Sequence, residues 1–334
     1  MSRIKQTNNK NIKKKKKKSI GFKILMGFLA ILIASMAIGG GYLYGLFFKL
    51  DNVKLDNKDL GISSTDEFSK YDNYTDIKNI ALFGVDAEDG GAGRSDSMMI
   101  VTIDPIHSKL KVTSLMRDSY VNIAGHGMDK LNHAYAFGGP QLAIKTINEN
   151  FGLNVEDFAT VNFSSLPIVI DLIGGVDIEI MAEELDSLNA SIATHNTANG
   201  TNSPNIYATG PQHLDGTQAL AYSRIRYTDG GDYKRTERQR TVLESLFTKL
   251  IKTSPSSYNS ILTNVLPHVQ TSLSPTTILS LGTKVLGIGN GTLIQERFPR
   301  DGASEGTTID EIYYLTFDIK DTINQMRDYI FSDK

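Results

Sequence analysis

Two separated stretches of this 334-residue chain carry residues of the types and spacing needed to hold a condensed phosphate. In the second, "AYSRIRYTDGGDYKRTERQR", six basic side chains fall between Arg224 and Arg240. Arg224 and Arg226 are two apart, so an extended backbone points both the same way. Arg235, Arg238 and Gln239 occupy positions i, i+3 and i+4 at the start of a predicted helix and share one face. The intervening "YTDGGDYK" is a turn that can fold the two basic faces together, whereas Arg240 points about 140° away from Arg235 around the helix. A planar guanidinium bonds phosphate in a bidentate manner and a helix N-terminus adds its positive dipole end, so the arrangement suits a phosphate or pyrophosphate. The same charges also suit a solvated helix face paired with Asp229, Asp232 and Glu237.

In the first stretch, Asp86 and Asp96 flank the glycine-rich "EDGGAGRSD". Two carboxylates at strand ends suit a hard divalent ion such as Mg²⁺, with substrate phosphates and water completing its shell; the bland alternative is acids capping loop amides. The six histidines lack zinc-ligand spacing, and the absence of cysteine excludes disulfides and thiol catalysis. Neither a glycine-x-serine-x-glycine elbow nor a P-loop occurs.

The elements that must position these residues are legible in outline. "NIALFGVD", "SMMIVTIDP" and "LKVTSLMRD" read as strands, the last two joined by the short turn "IHSK". In such a hairpin the end of the second strand lies beside the start of the first, which brings Arg117 to Asp96, with Asp86 tethered close by. Pro140 and Gly152 bracket a helix, "DFATVNF" and "VDIEI" are strands, and "SSLPIVIDLIGG" is a largely buried helix. Residues 183–213, rich in Asn, Thr, Ser and Gly, read as a long loop, a lid or a merely mobile segment. Asp215 is a candidate N-cap, and Val242, Leu243, Leu246, Phe247, Leu250 and Ile251 give the following helix its apolar face. The tail reads as two helices, a strand near "TLIQERF" and a last amphipathic helix. Strands alternating with helices indicate an α/β sheet layered with helices.

The net charge of −2 hides an asymmetry, because residues 1–23 hold ten Lys or Arg and no acid. Residues 24–48 follow with no charge, long enough at about 1.5 Å per residue to span the roughly 30 Å hydrocarbon layer. The reading is a basic cytoplasmic arm (1–23), an uncleaved transmembrane helix (24–48), an extracellular stalk (49–75) and an extracellular domain (76–334). The lysine run sets orientation and attracts anionic membrane lipid; nucleic acid is not an expected partner of an acidic outer domain.

Taken in order, "NIALFGVD", "GRSDSMMIVTIDP", "LKVTSLMRD", "KLNHAYAFGGPQLAIKTI", "VIDLIGGVDIEI", "LDGTQALAYSRIRY" and "GDYKRTERQR" resemble the LytR-CpsA-Psr family of membrane-anchored bacterial proteins. The resemblance covers a motif core of about 76–255. It implies a mixed central sheet flanked by helices, with an apolar pocket for a prenyl chain. It also implies transfer of a glycopolymer, such as wall teichoic acid or capsule, from an undecaprenyl-pyrophosphate carrier to a peptidoglycan sugar hydroxyl. By the same resemblance Asp86 and Asp96 would bind Mg²⁺ or Mn²⁺. Arg117, Arg224, Arg226 and Arg235 would bind pyrophosphate, and Arg94, Asp232, Arg238 and Gln239 would support them. Asp96 and Asp118 are candidates for the proton-accepting carboxylate. Val161, Phe163, Leu166, Ile168, Val169, Ile170, Leu172 and Ile173 are candidates for the prenyl slot. Met116 stands where the family commonly has proline. A pyrophosphatase and a non-catalytic glycan-binding regulator are the competing readings.

Overall fold

The computed structural model describes residues 51–86, 93–225, 231–252 and 293–332, with parts of 264–288. The expected arm and membrane span lie outside the described residues, as do Arg226 and most of the expected helices after Ser254.

Among the described residues, seven strands form the central sheet: β1 (Asp51–Asn52), β2 (Lys78–Asp86), β3 (Arg94–Asp104), β4 (Lys109–Leu115), β7 (Asp157–Asn162), β10 (Val269–Thr271) and β11 (Leu293–Phe298). Their order is β1-β10-β7-β2-β3-β4-β11. It is a mixed sheet: β2, β3 and β4 run antiparallel as successive hairpins, while β7 joins β2 and β11 joins β4 in parallel. A single helical turn, α1 (Thr65–Phe68), precedes β2. Helices α2 (His133–Phe151), α3 (Leu166–Ile173), α5 (Gly216–Ser223) and α6 (Gly231–Lys252) lie in the connections between strands.

The alternation of side chains along β2 assigns its two faces. Ala81, Phe83 and Val85 enter the main core with Ala143, Ile144, Ile147 and Phe151 of α2 and Met326 of the last helix, α7 (Ile319–Arg327). Leu82 and Gly84 point the other way, toward Val242, Leu243 and Leu246 of α6. A strand covered on both faces reads as a continuous apolar run, which is why "NIALFGV" shows no polar alternation.

Helix α2 begins earlier than expected and bends where Gly138 and Gly139 leave helical geometry, so Pro140 starts its second, straight part. Gly152 closes it in the left-handed conformation at φ 64°, as its position predicts. The long loop expected over 183–213 is instead largely ordered. Helix α4 spans Leu185–Asn199, and β9 (Gly210–Leu214) pairs antiparallel with β8 (Val176–Ile180). The helical signal of α4 is faint because its buried side chains are Leu188 and Ile192, one turn apart among polar and small neighbours. The tail holds a hairpin not anticipated, β12 (Ser304–Ile309) with β13 (Ile312–Phe317), besides the expected strand β11 and helix α7. Beside the sheet, β5 (Tyr120–Ile123) and β6 (Gly127–Lys130) form another hairpin.

Asp215 caps α5 as expected, accepting from the Gln218 amide at 2.8 Å while the Gln218 side chain accepts from the Asp215 amide at 2.9 Å. The next residue serves close packing instead. A Cβ on Gly216 would stand 2.1 Å from the Pro167 carbonyl oxygen, so α5 crosses α3 at backbone contact. Gly216→Ala should therefore cost about 3 kcal/mol or more by overpacking against rigid backbone, measured by chemical denaturation, and Thr217→Ala much less.

Candidate functional site

The hairpin expectation holds at its chemical end. Arg117, just beyond β4, forms an ion pair through Nη1 with Asp96 Oδ1 of β3. Its Nε lies 3.6 Å from both Asp118 and Asp232, a distance at which charge attracts without a hydrogen bond. Burial works against the Arg117 charge, but Asp232, Asp96 and Asp118 together outweigh it and hold its pKa above the ordinary arginine value. The guanidinium thus keeps its proton at any working pH.

Asp232 comes from the first turn of α6, where the helix N-terminus favours negative charge. That helix starts at Gly231, before the arginine run, so Asp232 and Arg235 fall at i, i+3 and pair at 2.8 Å. Arg235 is 1 % exposed and also reaches the Asp96 carbonyl at 3.4 Å. Two arginines and three aspartates, drawn from β3, the end of β4 and the start of α6, therefore share one cluster. Lys130, at the end of β6, adds a further cation by pairing with Asp118 at 2.9 Å. It sits inside a recognised motif, but its spacing gives no hint of this contact.

Across the mouth of the sheet, Arg224 pairs with Asp86 at 2.8 Å over 138 residues of sequence. Its guanidinium lies 5.3 Å from the centre of the Phe163 ring. Arg94 stands opposite Asp86 in the β2–β3 ladder and is exposed. Beside this pair runs a groove of about 770 Å³ that His195 of α4 also lines. Burial, and then the neighbouring Arg224, push the His195 pKa below its ordinary value, with Asp86 opposing. In the sequence His195 is one of six histidines without a distinguishing pattern, because α4 lacks the apolar stripe that would place it.

The remaining residues of the α6 face have other surroundings. Arg238 is buried against Glu184 at 2.7 Å and the Ile225 carbonyl at 3.3 Å, so it ties α6 to the start of α4. Gln239 lines an apolar cavity of about 150 Å³ between the sheet and α6. Arg240, as expected, stays apart and donates to Ser114 Oγ at 2.8 Å.

Val161, Phe163 and Leu166 of the expected slot line that cavity, together with Leu82, Met99 and the α6 leucines. The rest of α3 does not. Ile170 and Ile173 pack into a second core under α4 and α5, Val169 lies against that core, and Ile168 is 45 % exposed. An eight-residue helix presents only one stripe to one neighbour, and here the stripe belongs to the smaller core. Met116 donates its amide to the Phe298 carbonyl at 3.0 Å, a bond that proline could not make.

Asp86 and Asp96 sit on paired strands and each offers oxygen ligands of the kind Mg²⁺ takes. Among the described residues no group of three or more carboxylates or imidazoles is placed to hold a metal ion. A cation here would need oxygens from the substrate, as Mg²⁺ in phosphoryl-transfer sites commonly does.

The LytR_cpsA_psr family model matches residues 44–329. The chain belongs to this family. Over 264 residues it is 36 % identical to the polyisoprenyl-teichoic acid–peptidoglycan teichoic acid transferase TagU of Bacillus mycoides, covering 75 % of this chain and 80 % of TagU. Its fold matches protein gbs0355 of Streptococcus agalactiae with a TM-score of 0.65 at 26 % identity, over 78 % of this chain and 91 % of that one. A structure of TagT bound to LIIa-WTA aligns with a TM-score of 0.63 at 25 % identity, over 84 % and 99 % of the two chains. The mixed sheet with helices on both faces is thus the architecture of this LytR-CpsA-Psr group.

Arg238→Ala should leave Glu184 buried without its partner and cost about 3 kcal/mol or more in denaturant unfolding, with Arg238→Met plus Glu184→Gln recovering part of that loss. A lowered His195 pKa means the unfolded chain binds its proton more readily. Its contribution is therefore unfavourable to folding as pH falls below the ordinary value of 6.5. Thermal midpoints of His195→Gln should decline less steeply than those of the wild type on acidification through that region.

Proposed function

We propose that this protein transfers a glycopolymer from a polyisoprenyl-pyrophosphate carrier, undecaprenyl in a bacterial membrane, to a sugar hydroxyl of peptidoglycan. The observation that carries this reading is the Asp96–Arg117–Asp232–Arg235 cluster, with Arg224 and Asp86 beside it, at the rim of an apolar cavity. Transferase activity and teichoic acid substrates are the named properties of TagU, and family membership supports extending them to this chain.

In this reading Arg117, Arg224 and Arg235 hold the diphosphate, and the cavity takes the adjoining end of the prenyl chain. Each buried CH₂ is worth about 0.8 kcal/mol, which offsets its loss of lipid contact. The acceptor hydroxyl oxygen bonds to the phosphorus nearer the polymer sugar, and the bond from that phosphorus to the bridging oxygen breaks. The bridging oxygen leaves on prenyl phosphate. The hydroxyl proton passes to a carboxylate, for which Asp118 is better suited than Asp96. Asp118 lies outside the expected metal pair, next in the chain to Arg117, and Lys130 holds its carboxylate in place at 2.9 Å. Asp86 and Asp96 would hold Mg²⁺ or Mn²⁺, which when bound supplies positive charge to the phosphate oxygens. Arg226 belongs to this arginine set by its motif. The apolar run 24–48 would anchor the chain in the bacterial cell membrane with the basic arm inside and the catalytic domain outside, where peptidoglycan is found.

Arg117→Ala and Arg224→Ala should each lower transfer from purified lipid-linked polymer at least about a hundredfold, while circular dichroism remains that of the folded protein. Retained transfer in either variant rejects the assignment. Polymer covalently joined to peptidoglycan is the expected product; free polymer phosphate would instead mark a pyrophosphatase, and metal-independent binding without turnover a glycan-binding regulator.

A further inference from the structure

The β12–β13 hairpin places a large aromatic ring beside the phosphate cluster that the transfer chemistry leaves unused. Tyr313 is 50 % exposed, with Ile312 at 47 % and Met128 at 44 %. Its ring is held in place. A Cβ added to Gly306 on the facing strand would lie 2.8 Å from Tyr313 Cε2 and 2.9 Å from its hydroxyl. One side of the ring therefore rests on bare glycine backbone.

The ring also stands close to the reaction site. Lys130 Nζ is 5.9 Å from its centre and 2.9 Å from Asp118, whose other oxygen is 3.6 Å from Arg117. Tyr233 of α6 joins the hairpin to the helix carrying Asp232 and Arg235 by bonding Ser304 Oγ at 3.0 Å.

We propose that Tyr313 is a stacking platform for an uncharged hexopyranose of the acceptor glycan strand, orienting its hydroxyl toward Asp118. A flat, amphipathic ring with few rotors binds the apolar face of a sugar at low entropic cost. Charge selects the acceptor over the donor polymer. Glu305, Asp310 and Glu311 are exposed on the same hairpin, which bears no basic residue of its own, and Lys130, the cation near the ring, is already paired with Asp118, so a polymer with phosphate repeats is disfavoured there. An uncharged sugar ring is not. The assignment rests on the transferase reading above.

The test uses the full-length protein in detergent, a lipid-linked teichoic acid donor and soluble uncross-linked glycan strands as acceptor. Tyr313→Ala should raise the acceptor KM about tenfold, the effect of losing one aromatic face against a ring, with donor KM and thermal midpoint unchanged. Tyr313→Phe should restore the wild-type KM, and Gly306→Ala, which pushes the ring aside, should resemble Tyr313→Ala. An acceptor KM within about twofold of wild type in Tyr313→Ala, or a rise in donor KM instead, overturns the proposal. If the wild type performs no transfer, the functional reading fails. Binding of the soluble strand followed by NMR then decides this inference: loss of binding in Tyr313→Ala upholds it and unchanged binding refutes it.

Discussion

Arg117 is the residue around which the site is assembled. It stands on no regular element, yet carboxylates from β3, from its own chain neighbour and from the first turn of α6 converge on it. A half-desolvated guanidinium is unfavourable alone, and each of these carboxylates would be unfavourable alone as well. Their mutual attraction makes the arrangement possible, and it also couples the elements: β3, β4 and α6 cannot shift separately without exposing an unbalanced charge. Arg94, Arg117, Arg224, Arg235 and Lys130 here stand among Asp86, Asp96, Asp118 and Asp232, so charges of the two signs largely offset one another. In the proposed reaction an entering diphosphate would add negative charge, which a divalent cation held by Asp86 and Asp96 would offset.

The two faces of the sheet differ in how completely they are packed. One face of β2 packs against α2 and α7 in the main core. The other face meets α6 less completely and leaves the cavity that Gln239 and Phe163 border. Because α6 supplies both Arg235 at its start and Val242, Leu243 and Leu246 further along, a single helix carries charge at one end and apolar surface along the cavity, which in the proposed reaction would meet a head group and a tail. Phe163 links the two regions, since its ring borders the cavity and also carries the Arg224 guanidinium.

The sugar-recognising flank that we assign to Tyr313 adjoins Lys130 and Asp118, whereas Arg224 pairs with Asp86 at the end of β2. Neighbouring parts of the site therefore differ in character: cationic at the centre, apolar beneath, and aromatic with surrounding acids at the β12–β13 hairpin. Under the proposed function such a gradient would draw an anionic diphosphate inward and leave the rim to an uncharged partner.

By itself, the sequence determined the local pieces whose cause is local. Alternation and turn chemistry placed β2, β3 and β4, and hairpin geometry then brought Arg117 to Asp96, because antiparallel pairing leaves no other place for it. Asp215 and Gly152 announced helix ends through capping and the left-handed backbone. Motif resemblance, rather than periodicity, carried the family and most site positions. Only the tertiary structure decided which member of a helix face meets which partner. Arg235 and Arg238 share a face of α6, but one reaches Asp96 and Asp232 while the other is consumed by Glu184, a distinction made by α4, whose weak apolar pattern concealed it. Lys130, His195 and Tyr313 gained their neighbours through contacts spanning many residues, and no spacing rule registers such contacts because chain separation does not limit which surfaces meet after folding.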